Sequence, residues 1–420
     1  MPLHGPITGM DVAPGPSEIH RWLECAEGTV EVDIEWAPRP GFATDVPTII
    51  AANGGFAAGA GEDHFRLFGL AGAGSVERDA FGPLVRARVK LAAGERMVLA
   101  HRCGRDGGFD HDAAQSALDH TIGAWREWAH RCPAGEAQCS FGGQWHDQVR
   151  RSSLVLKLLT HPDTGAIAAA PTTSLPEEIG GVRNWDYRFS WIRDAAFTAQ
   201  ALVSLGHRAE ALDFLGFMSE VCREQLRTGH GPQILYGLHG ETDVPERELT
   251  HLEGYRGSRP VRIGNAAATQ LQHDVYGELL GAAYELRRIG AELPADIWSF
   301  LVELVDRAAT AWRYPDSGIW EVRTALRHFV HSKVMVWVAL DRAIRMVERF
   351  GLPGDVGYWK QERRRVRDAV LEEGHDRDVG AFVQSFGSIL RPERRSHRDV
   401  PGDGQAGEPA RSVRRADRSA

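Results

Sequence analysis

The stretch "VMVWVAL", Val334 to Leu340, sits inside the longer run "HFVHSKVMVWVALDRA" and decides the fold class. Wound as a helix, it turns apolar side chains to most of its circumference instead of to one stripe. Such a helix is buried on more than one side and belongs inside a layered assembly of helices. "SSLVLKLL", Ser152 to Leu159, has the same character. Working outward from these runs, apolar residues recur at helical spacing from Asp112 onward. The spacing predicts helices over about 144–160, 191–205, 208–227, 266–289, 295–313, 328–350 and 356–373. "AAQSALDHTIGAWREWAHRC", Ala113 to Cys132, is a candidate linking helix ahead of them. Short connections such as "LGHRAEA" alternate with long ones rich in Gly, Pro and aromatic residues. The long ones are "APTTSLPEEIGGVRNWDYRF", "HGPQILYGLHGETDVPERELTHLEGYRGSRPVRIGN" and "YPDSGIWEVRTALRH". Loops of this length in a compact domain are usually functional or disordered, and the Trp, Tyr, Arg and Asp in these favour function. The alternation suits helical hairpins set in a ring, with the long loops gathered at one end.

Before this helical part the period changes. "TVEVDIEW", Thr29 to Trp36, alternates apolar and polar residues, and "VPTIIAA", "HFRLFGL" and "PLVRARVKLAAGERMVLAHR" follow with Gly and Pro between them. Period-two alternation at short spacing predicts an antiparallel sandwich or meander. After Ser388 the chain has almost no aliphatic residue and no large aromatic beyond "FVQSFGS". Residues 389–420 are expected to be a disordered tail, because they cannot bury enough surface to offset their ordering entropy.

The 420 residues, 43% hydrophobic and 25% charged, have the composition of a globular chain with room for about two domains. A net charge of −8, with no long basic block outside the tail, argues against nucleic acid or an anionic membrane as main partner. The five cysteines, Cys25, Cys103, Cys132, Cys139 and Cys222, form no CxxC pair, so neither a disulfide framework nor a zinc site is expected and a reducing cytoplasm fits. The histidines fall into no HExxH spacing, and no metal or cofactor is implied. No signal peptide is legible in "MPLHGPITGM" and no apolar run is long enough to span a bilayer.

Two clusters carry candidate chemistry. In "NWDYRFSWIRDAAF", Asn184 to Phe197, the charged Asp186, Arg188, Arg193 and Asp194 interleave with Trp185, Tyr187, Phe189 and Trp191. An Arg fork and an Asp acceptor can fix neighbouring hydroxyl groups while an aromatic face covers the C–H side of a sugar. The alternative is an internal ion pair and a helix cap. In "YPDSGIWEVR", Tyr314 to Arg323, Glu321 follows Trp320, an apolar neighbour that would favour the protonated form. A protonated Glu beside a glycosidic oxygen is a general acid; the alternative is a surface Glu paired with Arg323. A third stretch, with Tyr255, Arg256, Arg259 and Arg262 before Gly264 and Asn265, reads as a sugar-hydroxyl wall or as a plain helix start.

From about Ser153 to Ser388 the chain resembles the bacterial glucoamylase and trehalase group, glycoside hydrolase family fifteen. The matching runs are "GAIAAAPTTSLPEEIGGVRNWDYRFSWIRDAAFT", "YRGSRPVRIGNAAATQLQHDVYGE", "GIWEVR", "HFVHSKVMVWVALDRA" and "FVQSFGS". The resemblance implies an (α/α)6-type barrel behind an antiparallel β-sandwich, and hydrolysis of α-glucosidic bonds with inversion. On this reading residues 1–110 are a partial β-sandwich domain, 111–140 a linker helix, and 141–388 an incomplete (α/α)6 catalytic domain supplying about seven of twelve helices. The chain is expected to be truncated at both ends. Glu321 matches the general acid. Arg193 and Asp194 match the pair that grips the terminal glucose, Tyr187 and Trp191 match aromatic positions around it, and Trp320 flanks the acid. Arg262 and Asn265 fall in a stretch that lines the cleft.

Inversion needs a second carboxylate, ~6.5–9.5 Å from the first, to activate water. In the family this base is a Glu in a later loop. The tail offers Glu393 and Glu408 without a matching motif, so the base is expected to be absent. Glu177, Glu178, Asp186 and Asp194 are the possible substitutes. The expected partner is a small carbohydrate, α,α-trehalose or an α-glucan oligosaccharide. The alternatives are a sugar-binding remnant without turnover and phosphorolysis of a glucosidic disaccharide. Oligomeric state is not legible.

Overall fold

A computed structural model describes residues 17–70, 72–104, 108–129, 143–321 and 325–388. In the first part, alternating residues form two antiparallel sheets. The strands are β1 (Glu18–Glu24), β2 (Thr29–Trp36), β3 (Thr48–Ala52), β4 (Gly55–Ala60), β5 (Asp63–Phe68), β6 (Ser75–Asp79), β7 (Gly82–Ala92) and β8 (Arg96–Cys103). One sheet runs β1-β8-β5-β4-β3 and the other β2-β7-β6. The turn after β7 therefore carries the chain from one sheet to the other. Trp36, Val85 and Ala87 from the smaller sheet meet Phe56, Leu67 and Leu99 from the larger one in a shared core. This is face-to-face sheet packing.

Asp110 caps α1 (His111–Trp128), accepting from the Asp112 and Ala113 amides. The far end of α1 docks on the helical part: the Trp128 indole stacks on His207 at 3.9 Å and donates to Glu210, which also receives the Lys157 ammonium at 2.9 Å. Seven helices follow: α2 (His146–Leu159), α3 (Ile192–Ser204), α4 (Ala209–Arg227), α5 (Asp274–Arg288), α6 (Ala295–Ala311), α7 (Val330–Phe350) and α8 (Val356–Glu373). In one row α5 packs between α3 and α7. In a second row α6 packs between α4 and α8. Leu279, Leu280, Leu301, Leu304, Leu340 and Ile344 fill the space between the rows. The stretch Val334 to Leu340 lies in α7, with Val336, Ala339 and Leu340 buried and Val334 39% exposed. Gly351, in the left-handed region at φ +71°, ends α7. No described helix is long and apolar enough to cross a membrane.

One predicted helix starts later than its periodicity indicates. Over 266–289 the chain makes a short 3-10 turn, Ala266–Thr269, then an extended passage, and enters α5 only at Asp274. The passage is held open by the loop before α7. The Ser317 amide donates to the Leu271 carbonyl at 2.7 Å and the His273 amide to Asp316 Oδ2 at 2.9 Å. The linking helix ends at Trp128; residues 130–142 and the predicted tail from 389 lie outside the described residues.

Candidate active site

The row α3, α5, α7 brings three helix N-termini to the same end of the molecule. Trp191, His273 and Phe329 precede these helices, and none makes a side-chain cap. The dipoles of the three helices favour negative or hydroxyl-bearing groups there, while the Ile192 and Val330 amides are taken by the Ile234 and Gln384 carbonyls.

Trp191 is seated by a two-residue ladder in which Ser190 and Trp191 pair with Tyr236 and Leu235. Its indole is 3% exposed and donates to Glu321 Oε1 at 2.7 Å. Arg193, one residue into α3, ties the helix to the Glu321 loop. Its Nη1 donates to the Ile319 carbonyl at 3.1 Å. Its Nη2 donates to Asp194 Oδ2 at 3.2 Å and lies 3.7 Å from Glu321 Oε1. Those two carboxylate oxygens therefore stand no more than about 7 Å apart, both held by one guanidinium nitrogen. Asp194 lies in the first turn of α3, where the helix dipole stabilises its charge. The Tyr187 ring is 5.9 Å from Trp191 and 37% exposed. Burial pushes the Tyr187 hydroxyl above its ordinary pKa, and the charges of Glu177, Glu321 and Asp194 add to that.

Burial also raises the Glu321 pKa, with Asp194 adding to the rise and the Trp191 hydrogen bond and Arg193 charge opposing it. Its backbone is left-handed at φ +53°, a conformation that non-glycine residues adopt at some cost. Its carbonyl accepts from Gln270 Nε2 at 3.2 Å. A carboxyl that is only 26% exposed, raised in pKa by burial and aimed by an indole and a guanidinium, has the surroundings that proton donation needs. Trp320 does not supply the burial expected of it. It is 78% exposed, because the loop turns it toward a largely apolar cavity of about 340 Å³ shared with Phe329, His331, Val334 and Phe382. The tryptophan against the acid is Trp191.

The other sequence candidates hold loops in place. Asp186 is fully buried, chelates the Arg188 guanidinium at 2.8 and 2.9 Å, and accepts from the Gly264 amide. That is an internal ion pair. Asn265 caps the Ala266–Thr269 turn and its amide donates to the Asp186 carbonyl. Arg262 stacks over Trp185 at 4.7 Å, donates to the Val182 carbonyl and lies near Glu246 and Glu248. Tyr255 and Arg256 stack on each other at the surface, and Arg259 is exposed. Glu177 pairs with Arg183 at 3.6 Å, and Glu178 is exposed. Arg323, Glu393 and Glu408 lie outside the described residues. Among the described residues no group of three or more His, Cys, Asp or Glu side chains could hold a metal ion.

Sequence reasoning passed over Asp274, Glu278 and His331. Asp274 and Glu278 lie one turn apart on α5, almost without exposure. Burial pushes Asp274 up to about 6 and Glu278 up to about 8, with Arg193 opposing in both cases. His331 is lowered by burial and by Arg193. The readable signal was a pair of carboxylates at i, i+4 in "DVYGELLGAA", Asp274 to Ala283, where every other side chain is uncharged.

The profile described as Glycosyl hydrolases family 15 matches residues 144–405. The chain is 34% identical over 371 residues to a trehalase of Thermoplasma volcanium, covering 88% of this chain and 57% of that one. It is 39% identical over 307 residues to a trehalase of Mycolicibacterium smegmatis, covering 73% and 45%. It thus spans about half the length of the curated relatives it matches. A glucoamylase structure from Saccharomycopsis fibuligera is similar at 16% identity and a TM-score of 0.39, over 57% of this chain and 51% of that one, too slight a likeness to carry an argument. The profile match and the trehalase identities agree: the chain belongs to glycosyl hydrolase family 15.

Proposed function

We propose that this chain carries the proton-donating and glucose-gripping half of a glycoside hydrolase site that cleaves α-glucosidic bonds, with α,α-trehalose as first choice and α-glucan oligosaccharides as second. The relatives named trehalase support trehalose. The observation that carries the reading is the Glu321 carboxyl, buried, raised in pKa and held between Trp191 and Arg193. Arg193 and Asp194 bind adjacent hydroxyls of the terminal glucose, and Tyr187 and Trp191 line it. Glu321 protonates the departing oxygen while water attacks the other face of the sugar. In this reading the two helix rows are part of an (α/α)6 barrel, and the sandwich stands behind it.

No described carboxylate is well suited to be the base. Asp194 is tied to Arg193, and Asp274 and Glu278 are too buried to hold a water against a sugar. The base then lies outside the described residues. This favours a second reading, in which the chain as given binds a glucosyl group without efficient turnover. Glucose release from trehalose and from maltose, beside calorimetric titration with each, separates the two. Under the first reading glucose is released with inverted configuration and Glu321→Gln lowers the rate about 10²–10⁴-fold. Full activity of Glu321→Gln removes both the acid assignment and the mechanism. Binding without release supports the second reading, and neither binding nor release sinks both.

A further inference from the structure

Beneath the Glu321 loop lie two buried ionisable side chains that the proposed chemistry does not use. Lys333, in the first turn of α7, has no solvent exposure, and its Nζ donates to the Tyr314 carbonyl at 2.7 Å. Asp316, two residues further along the loop, is equally buried. Its Oδ2 accepts from the His273 amide, and its main chain exchanges two 2.9 Å hydrogen bonds with Arg327. Its Oδ1 is buried and has no hydrogen-bond partner. Burial lowers Lys333 to about 8 and Asp316 opposes this; His273 and His328 are the other titratable groups that feel the ammonium.

A buried ammonium is costly unless it is compensated. Leucine or methionine would fill the same space at no such cost, so the charge needs a use. The loop supplies one. It is clamped at Tyr314 by Lys333, at Asp316 by His273, at Ser317 by Leu271, at Ile319 by Arg193 and at Glu321 by Gln270. At the end of this clamp Glu321 holds a left-handed backbone, which a non-glycine residue keeps only where its surroundings enforce it. Released, residue 321 would relax to an ordinary conformation and its carboxyl would swing from the Trp191 indole.

We propose that Lys333 and Asp316 are positioning residues that seat the Tyr314–Glu321 loop so that the Glu321 carboxyl meets Trp191 and Arg193. The proposal rests on Glu321 being the proton donor. Its test reads the position of Glu321 without sugar. In the full chain labelled with ¹⁵N-tryptophan, the Trp191 indole resonance is assigned with Trp191→Phe, and its pH titration is assigned to the carboxyl with Glu321→Gln. In Lys333→Met, which keeps side-chain length and loses donor and charge, the Trp191 resonance is expected to move upfield and to stop titrating while circular dichroism shows the fold retained. If Lys333→Met does not fold, Asp316→Leu replaces it, which keeps the bulk and removes the acceptor for the His273 amide; the same upfield shift and loss of titration are expected. An unchanged Trp191 resonance and titration in the folded variant overturns the proposal. A structural role alone would lower the melting temperature and leave that signal in place. Because the indole reports position whether or not sugar is cleaved, failure of the acid assignment in the hydrolysis assay is distinguishable from failure here.

Discussion

At the scale of single residues, two opposing effects set the proton affinity of Glu321. Burial raises its pKa, and the Trp191 indole lowers it by donating to the ionised form. Trp191→Phe keeps most of the apolar surface and removes the donor, so the Glu321 pKa is expected to rise further. Trp320→Ala is expected to leave that pKa where it is, since Trp320 points away into the neighbouring cavity. Carbon-13 titration of the side-chain carboxyl in both variants checks this; a fall on losing Trp320 would restore it as the shield. Charged residues among aromatic ones drew attention to Glu321, Arg193, Asp194 and Trp191 but left an ion pair or a surface Glu as alternatives, and the resemblance to a known family is what singled them out. The sequence could not show which of two tryptophans touches the acid. Adjacency in the chain placed Trp320 beside Glu321, and only folding brings Trp191 across 130 positions to it.

At the scale of elements, the site depends on how closely α5 and α7 approach. Gly277 lies on α5 where an added Cβ would collide with the Met335 carbonyl of α7. Helix propensity alone would make Gly277→Ala stabilising by roughly 1 kcal/mol. A clash with backbone cannot be relieved by rotating a side chain, so overpacking of roughly 1–3 kcal/mol is expected to win. Thermal denaturation should show Gly277→Ala destabilised; a raised melting temperature would mean that the two helices are further apart than described. Periodicity located all seven helices from α2 onward. It failed at 266–273, where Ala and Gln residues continue a helical pattern but the Glu321 loop binds the backbone through Leu271 and His273. Such tertiary competition for amides and carbonyls leaves no mark on local periodicity.

At the scale of the whole molecule, buried acids make stability depend on pH. Asp274 and Glu278 have folded pKa values of about 6 and about 8, raised above reference values of 3.8 and 4.5. A raised folded pKa contributes stability that is complete below the reference value and is lost as pH climbs through the folded one. Lys333 works in the opposite sense and at higher pH, being lowered from 10.5 to about 8. Buried His273, lowered from 6.5 to about 4, contributes stability that grows with pH between those two values, so a net loss with rising pH is expected from about pH 6.5 to 8, where Glu278 titrates. Glu278→Gln should flatten that slope in melting curves, and an unchanged slope would remove Glu278 as its source. The burial of these carboxyls was not visible in the sequence, since it arises only when α3 and α5 pack together. Proton donation by Glu321 requires a raised pKa, so the direct test is the titration of Glu321 itself, by carbon-13 signal in the purified chain with Glu321→Gln as the assignment. A midpoint clearly above 4.5 is the expected result, and a midpoint at or below 4.5 would contradict the account.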